Sequence, residues 1–162
     1  MPDSAFDRRP APSEGDIDDI LVWTVIRVGR RVERMVTDRL AVHGLTPVQF
    51  GMLAYLGARP GMNQSELARA LQIRPQSARD AVTAMIDRGL LHRTGPEGRG
   101  RRSGMQLADE GHALLARAWP VVAGIDAATV GLAPGDDVTL NRLLHTVLDA
   151  PAHPSRPAPT AG

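Results

Sequence analysis

The sequence predicts a mainly α-helical fold that carries one small β-hairpin. Apolar residues recur close to a helical period in several segments. One central stretch, "RTGPEGRGRRSGMQL" at 93–107, cannot be helical, because it contains four glycines and a proline, and its ends are typical of short strands. The length of 162 residues suits a single domain, and 43% apolar but only 3% aromatic residues predict an aliphatic core.

The N-terminal part is predicted to be a tail followed by a long helix. Residues 1–15 contain three prolines and are expected to be disordered. The next segment, 16–46, consists mainly of one helix over 16–43, with Asp16, Asp18 and Asp19 in its first turn, where the helix dipole favours anions. Its apolar residues at helical spacing are Ile17, Leu21, Val25, Val28, Val32, Met35 and Leu40.

Three shorter helices follow within the segment 47–108. Pro47 marks the start of the second helix, because its fixed φ and missing N–H suit a first helical turn. Asn63 and Glu66 are spaced as a capping box and start the third helix, "NQSELARAL". The fourth helix occupies about 75–88, from Pro75 to a C-terminal glycine at Gly89.

The hairpin comes next, over about 93–107, and the remaining chain is predicted to form two further helices and a tail. The helices occupy 109–131 and 135–149 within a C-terminal segment at 109–150. The tail, residues 151–162, contains four prolines and no large apolar residue, and we expect it to be disordered.

The third and fourth helices are separated only by "QIR" and Pro75, which indicates a helix-turn-helix. On the fourth helix, Ala78, Val82, Met85 and Ile86 share the face expected to pack inward. The other face carries amide, hydroxyl and guanidinium groups, which read base edges when the helix enters the major groove. The predicted DNA-reading residues are Arg74, Gln76, Ser77, Arg79, Asp80 and Thr83.

A helix-turn-helix followed by a hairpin is the winged-helix arrangement, and 47–108 is therefore predicted to be a winged helix-turn-helix domain. Between Asn63 and Arg102 there are eight arginines against four acids, whereas the rest of the chain has eleven against fourteen. This concentration of positive charge favours double-stranded DNA as a partner. The wing arginines predicted to meet phosphates or the minor groove are Arg93, Arg99, Arg101 and Arg102.

Two other interpretations remain open at this point. The exposed helix face and the arginine-rich loop can each be merely solvated, or the winged helix can bind protein instead of DNA. The net charge of only +1 and the acidic Asp80 on the outer face favour the protein-binding alternative. An enzyme is disfavoured, because the sequence contains no phosphate-cradling glycine motif and no set of catalytic side chains tied to an evident cleft.

The sequence resembles the multiple-antibiotic-resistance-repressor (MarR) family of bacterial transcription regulators over about residues 17–149. The resemblance runs from "HGLTPVQFGMLAYL" through "NQSELARALQIRPQSARDAVTAMIDRGLLHRT" to "GRRSGMQLADEG". It implies a homodimer whose first and last helices interlock. It also implies a repressor that binds a pseudo-palindromic operator and is released by a ligand, with a small-molecule pocket between the dimerisation region and the DNA-binding lobe.

The chain departs from the family pattern at several positions. The family's wing reads Asp-Arg-Arg, whereas Gly100 here precedes Arg101 and Arg102. Arg74 stands where the fourth helix usually has a capping residue, and it is a poor N-cap. Ala108 replaces the capping Thr of Leu-Thr-x-x-Gly. We therefore expect an unusual operator preference, with DNA binding retained.

Both terminal helical regions carry more apolar surface than a small monomer can cover. Either they jointly cover one core, or they form a dimer interface, which we favour because two terminal helices on a small winged domain leave much surface exposed. The predicted interface residues are Ile17, Leu21, Leu140, Leu144 and Val147.

A ligand pocket is predicted where aromatic side chains and arginines occur on the first two helices. An aromatic ring beside an arginine suits an anionic aromatic ligand. The alternative is that Trp23 is a core residue and Arg27 is solvated. The candidate pocket residues are Trp23, Arg27, Arg30, Phe50, Met52 and Tyr55.

Other classes of site and location are disfavoured by composition. The chain has no cysteine, which excludes disulfides and thiolate metal sites, and its five histidines are scattered, so we expect no metal and no cofactor. No apolar run approaches the length of a membrane span, and the N-terminus does not resemble a signal peptide. We therefore expect a cytoplasmic protein without a membrane partner.

Overall fold

The computed structural model describes residues 11–95 and 104–150. These residues divide into two compact units, one ending at Val122 and the other beginning at Ala123. The elements are α1 (Glu14–Asp18), α2 (Leu21–Ala41), α3 (Pro47–Ala58), α4 (Gln64–Ala70), α5 (Pro75–Asp87), β1 (Leu91–Thr94), β2 (Gly104–Leu107), α6 (Asp109–Ala123), α7 (Ala127–Val130) and α8 (Asp136–Asp149). The predicted fold, mainly helical with one hairpin, is confirmed.

The predicted long helix over 16–43 is wrong, because the chain leaves the helical conformation at Ile20. Ile20 is extended, with φ −79° and ψ 101°, and it separates α1 from α2. The predicted disordered tail also extends too far, since α1 begins at Glu14. Ser13 caps this helix by accepting the backbone N–H of Asp16, and Asp16 accepts the backbone N–H of Ser13 in return. Asp16 is thus a capping-box residue.

The three helices of the predicted DNA-binding domain are confirmed, together with their termini. Thr46 and Asn63 cap α3 and α4 through capping boxes with Gln49 and Glu66. The chain turns away after α5 at Gly89, whose φ of 70° lies in the left-handed region that glycine adopts without strain.

The hairpin is anchored to the helical part by a neighbouring loop. β1 and β2 are antiparallel, with Leu91 opposite Leu107 and Thr94 opposite Gly104. On the other edge of β2, the Gly61 N–H donates to the Met105 carbonyl at 2.8 Å, and the Met105 N–H donates to the Met62 carbonyl at 2.9 Å. The base of the wing is therefore fixed by hydrogen bonds on both sides of β2.

The core of the first unit is aliphatic, as the composition predicted. Its fully buried side chains come from α2, α3, α4, α5, β2 and α6, and none of the buried hydrophobic residues is aromatic. The largest of them are Leu40, Met52, Leu53, Leu56, Leu67, Met85, Met105 and Val82. This core positions α5 against α4 and the hairpin.

The C-terminal helices differ from the prediction in two places. The predicted helix over 109–131 is interrupted after Ala123, at Gly124, a poor helix former. Asp126 then caps the short α7 by accepting the Thr129 N–H at 2.8 Å. In the second unit, α8 begins at Asp136, one residue after the predicted start, and buries none of its residues.

Within the described residues, no helix has both the length and the apolar content that crossing a membrane requires.

Candidate nucleic-acid interface

Helix α5 is amphipathic, as the sequence predicted for a recognition helix. Ala78, Val82 and Met85 are buried in the core, whereas Ile86 is only partly buried. The six candidate DNA-reading residues are all exposed: Arg74, Gln76, Ser77, Arg79, Asp80 and Thr83. The structure therefore leaves their polar groups accessible, and their contacts with DNA stay a prediction.

The N-terminal end of α5 is open, as expected from its poor capping residue. Arg74 is the N-cap and makes no side-chain hydrogen bond to the first turn. Pro75 lacks an N–H. The uncapped backbone N–H groups of this turn are consequently available to a phosphate oxygen.

Two exposed side chains on α5 are joined to each other. Gln76 Nε2 donates to Asp80 Oδ1 at 2.8 Å, one turn along the helix. This bond occupies one amide N–H and leaves the Gln76 Oε1 and the second N–H free to face a base. Asp80 therefore orients a predicted base-reading group.

The turn between α4 and α5 forms a groove that sequence patterns did not indicate. Gln72 has a positive φ of 53°, which turns the chain sharply between the two helices. The groove has a volume of about 620 Å³, and two arginines line it. Its lining residues are Ser65, Ala68, Arg69, Gln72, Ile73, Arg74 and Pro75. Arg69 was counted among the basic residues of this region, but the spacing alone did not show that it lies beside Arg74.

One arginine of the basic region has a structural role. Arg88 Nη1 donates to the Gly44 carbonyl at 2.9 Å and so connects the end of α5 to the loop before α3. Its guanidinium is already engaged by protein. The eight arginines counted between Asn63 and Arg102 therefore overstate the number of guanidinium groups that are free to contact DNA.

The predicted wing is described only at its base. Arg93 is exposed on β1, opposite Met105. Arg99, Arg101 and Arg102 lie outside the described residues, as does Gly100 at the position of the family's Asp. Their role stays a prediction.

The six predicted pocket residues are placed in different surroundings. Arg27 and Arg30 line a groove beside α1, where Arg27 forms an ion pair with Asp18. Met52 is fully buried in the core of the single chain, and its assignment to a ligand pocket stays a prediction. Trp23 is partly exposed on α2, so it is not a core residue of the described chain, and Tyr55 is exposed on α3.

The sixth pocket candidate, Phe50, has an aromatic partner that the sequence did not predict. It stacks on Trp119 of α6, with ring centroids 6.2 Å apart and an angle of 26° between the ring planes. Trp119 is exposed over 54% of its surface. No local pattern links these residues, because they lie on helices distant in sequence.

The predicted dimer residues are all exposed in the single chain. Leu21 is 74% exposed on α2, and Val147 is 70% exposed on α8. Fifteen of the eighteen exposed large hydrophobic residues lie on α8 or between Ile17 and Val32. Most of the uncovered apolar surface in the described residues is thus on the terminal helices.

Comparison with known proteins relates the chain to one group of regulators. Residues 43–102 match the model of the MarR family. The HTH-type transcriptional repressor Rv2887 of Mycobacterium tuberculosis is 33% identical over 110 residues, which are 68% of this chain and 79% of the relative. Rv2887 in complex with salicylic acid superimposes with a TM-score of 0.64 at 29% identity, covering 85% of this chain and 97% of the other.

A second relative has been solved in two complexes. The transcriptional repressor CouR bound to a 23-mer DNA duplex superimposes with a TM-score of 0.73 at 31% identity, covering 85% of this chain and 99% of the other. CouR bound to p-coumaroyl-CoA superimposes with the same TM-score of 0.73 at 33% identity, covering 86% of this chain and 99% of the other.

Proposed function

The chain belongs to the MarR family and is a MarR-type transcriptional repressor, and from this premise we propose that it works as a homodimer on a pseudo-palindromic operator and is released by a small anionic ligand. Regulators of this family bind DNA and are not enzymes, which agrees with the expectation from the sequence. A regulator of this kind acts on chromosomal DNA, so we place it in the bacterial cytoplasm.

The observation that carries the proposal is the exposed polar face of α5. Gln76 and Arg79 present planar groups that pair with base edges, and the open first turn can accept a phosphate. Relatives with the same fold support this use of α5, since CouR has been solved on a DNA duplex. We propose that α5 enters the major groove and supplies base discrimination.

We propose a separate role for the wing. Arg99, Arg101 and Arg102 lie in the sequence between β1 and β2, in a segment that also contains Gly95, Gly98 and Gly100. Arginines on such a loop meet phosphates or the minor groove, which position the protein but carry little sequence information. The wing then contributes affinity to all DNA, whereas α5 selects the sequence.

The dimer is supported by the apolar surface of the terminal helices. Neither α1 nor α8 buries a residue, although α1 carries Ile17 and α8 carries six large apolar side chains. Exposed apolar surface of this extent marks an association site. A two-fold dimer places its recognition helices about one helical turn apart, roughly 34 Å, and reads inverted half-sites about ten base pairs apart.

We propose the chemical class of the effector from the ligands with which relatives have been solved. Rv2887 has been solved with salicylic acid and CouR with p-coumaroyl-CoA, and both ligands are anionic aromatic compounds. We propose that this chain responds to the same broad class. Because binding linkage is reciprocal, an effector that weakens DNA binding must itself bind less tightly to the DNA complex.

The proposal is tested by selecting DNA with the purified protein and measuring affinity against salt. We expect an inverted repeat and a steep log–log salt dependence, which a winged helix that binds only proteins does not show. Arg79→Ala should change the preferred sequence. Arg101→Ala with Arg102→Ala should weaken binding to every DNA and flatten the salt slope by about 0.9 for each phosphate that the variant no longer neutralises.

Arg142→Ala, on α8, serves as the control for removing an exposed arginine outside the DNA-binding unit. Selection of an asymmetric site bound by one protomer would contradict the dimer. If the variant that lacks both Arg101 and Arg102 had normal DNA affinity and a normal salt dependence, the arginine-rich loop would be a solvated turn. Absence of salt-dependent DNA binding by the native protein would overturn the proposed function altogether.

A further inference from the structure

Four arginines lie on one face of α2. Arg27, Arg30, Arg31 and Arg34 are spaced i, i+3, i+4 and i+7, which brings their side chains to the same side of a helix. They line a groove of about 600 Å³ together with Asp18, Thr24 and Val28. We infer that this arginine groove, defined by these seven residues, binds the phosphate groups of a small-molecule effector. The inference rests on the proposed ligand response of the chain.

The charges in the arginine groove are poorly balanced. Asp18 is the one carboxylate in its lining, and it is paired with Arg27. The only ion pairs among the described residues are Arg27–Asp18 and Arg117–Glu110. Arg30, Arg31 and Arg34 consequently have no described carboxylate within ion-pair distance.

Three further acids, Glu14, Glu33 and Asp38, line neighbouring grooves without forming an ion pair with these arginines, and Glu14 does so beside Arg27. Glu33 and Asp38 line a neighbouring groove with Arg30 and Arg34, yet neither comes within ion-pair distance of them. Like charges three or four residues apart destabilise a helix. A bound anion would relieve this repulsion, and the arrangement therefore favours a ligand with several negative charges.

The spacing of the arginines favours phosphate over a single carboxylate. One carboxylate is matched by one guanidinium, as Asp18 is by Arg27. The four arginines extend over two helical turns, roughly 10 Å at about 1.5 Å per residue. A ligand that carries phosphates at more than one position can reach several of them, and guanidinium groups bind phosphate oxygens in bidentate pairs. A nucleotide-containing thioester has this chemistry.

The groove is also placed where a ligand and a dimer can coexist. Leu21, Val25 and Val32 lie on the other side of α2, the side proposed to meet the partner. Trp23 is one turn before Arg27 on the arginine side and is partly exposed. It can therefore contact the aromatic part of a thioester and report binding through its fluorescence.

The inference is tested by calorimetric titration of the full chain with coenzyme A, p-coumaroyl-CoA and p-coumarate. Three proteins are compared: the native chain, Arg30→Gln with Arg34→Gln, and a matched control, Arg117→Gln with Arg142→Gln. The control removes two exposed arginines outside the groove. We expect coenzyme A and its thioester to bind the native and control proteins equally. The groove variant should bind both at least about tenfold more weakly, about 1.4 kcal/mol, with p-coumarate affinity unchanged.

Several results would overturn the inference. Failure of coenzyme A and the thioester to bind a native protein that binds its operator would remove the site and leave the proposed function intact. Equal weakening in the groove and control variants would show a non-specific charge effect. Weaker operator binding by the ligand-free groove variant would show that these arginines contact DNA. If the native protein bound no operator, the proposed function would fail, while a groove-specific decrease in coenzyme A binding would still support the site.

Discussion

Gln76 and Asp80 act as a pair on the exposed face of α5, and we expect Asp80 to determine how Gln76 reads a base. Asp80→Ala removes the acceptor at 2.8 Å from the Gln76 amide and leaves that amide free to rotate. Discrimination at the base pair read by Gln76 should then fall by about 1–3 kcal/mol, as for Gln76→Ala. Binding to a panel of operators with single base changes measures this effect.

Asp80→Asn is the matched control for this prediction. It retains an oxygen acceptor for Gln76 but removes a negative charge from a surface that we propose meets phosphates. We expect it to keep the sequence preference and to bind all DNA more tightly. The double variant of Asp80→Ala and Gln76→Ala should lose less discrimination than the sum of the two single variants, because residues that act together are non-additive. A loss equal to that sum would contradict the pairing.

A second prediction at the residue scale concerns the carboxyl group of Asp16. Hydrogen bonds from the Ser13 hydroxyl at 2.6 Å and the Ser13 N–H at 2.8 Å hold the pKa of Asp16 below its ordinary value. Because the folded-state pKa is lowered, this capping contribution is complete above the ordinary carboxyl pKa and is lost as pH falls through the lowered one. We expect α1 to fray in acid.

An NMR titration of the Asp16 side chain checks this prediction. Ser13→Ala should raise the pKa of Asp16 toward its ordinary value, whereas Ser77→Ala, on α5, should not change it. Identical titration curves for the native protein and Ser13→Ala would contradict the capping box as the cause.

At the scale of elements, the termini of helices were predictable where the chain carries an explicit signal. Asn63, Pro75 and Gly89 set the ends of α4 and α5, and the structure confirms them. The interruptions at Ile20 and Gly124 were not predictable, because apolar residues continue at helical spacing across both. The spacing of apolar residues indicates which face of a helix is buried. It does not indicate where the backbone angles depart from helical values.

The approach of α6 to the hairpin gives a prediction at this scale. A Cβ added to Gly111 would lie 2.2 Å from the Leu90 carbonyl oxygen, a backbone atom that cannot move aside cheaply. Gly111→Ala should therefore destabilise the domain by about 1–3 kcal/mol, as overpacking does. This contact also gives a physical reason for the glycine in "LADEG", which the sequence alone could not supply.

Chemical denaturation of Gly111→Ala and Gly29→Ala separates packing from helix propensity. Both changes replace a helical glycine by alanine, but a Cβ at Gly29 meets nothing within 4 Å. Gly29→Ala should stabilise the chain by about 0.5–1 kcal/mol. If both variants shifted the free energy of unfolding in the same direction, the close approach of the Leu90 carbonyl would not be what requires a glycine at position 111.

For the whole molecule, surface chemistry was more predictable than long-range contacts. The outer residues of α5 could be assigned from their spacing, because a helix fixes which positions share a face. The engagement of Arg88 by Gly44 and the stacking of Phe50 on Trp119 join positions far apart in the chain. Neither contact leaves a local pattern in the sequence.

The proposed dimer is the whole-molecule feature on which the proposed recognition of an inverted repeat depends. Leu144 lies on α8 with Leu140 and Val147 on one apolar face, and none of them is buried within the chain. We expect native protein to have twice the mass of one chain by light scattering after gel filtration. Leu144→Asp places a charge in the proposed interface and should weaken association by at least about 2 kcal/mol, as at an interface hot spot.

His145→Asp introduces the same side chain at the next position of α8, off the apolar face, and should leave the dimer intact. Far-UV circular dichroism should show equal helix content in both variants, so that dissociation is not mistaken for unfolding. Leu144→Asp should also bind the inverted repeat far more weakly but retain weak, salt-dependent binding to a single half-site, because one recognition helix and one wing remain. A folded Leu144→Asp protein that stays dimeric and binds the full operator normally would show that α8 does not hold the two protomers together.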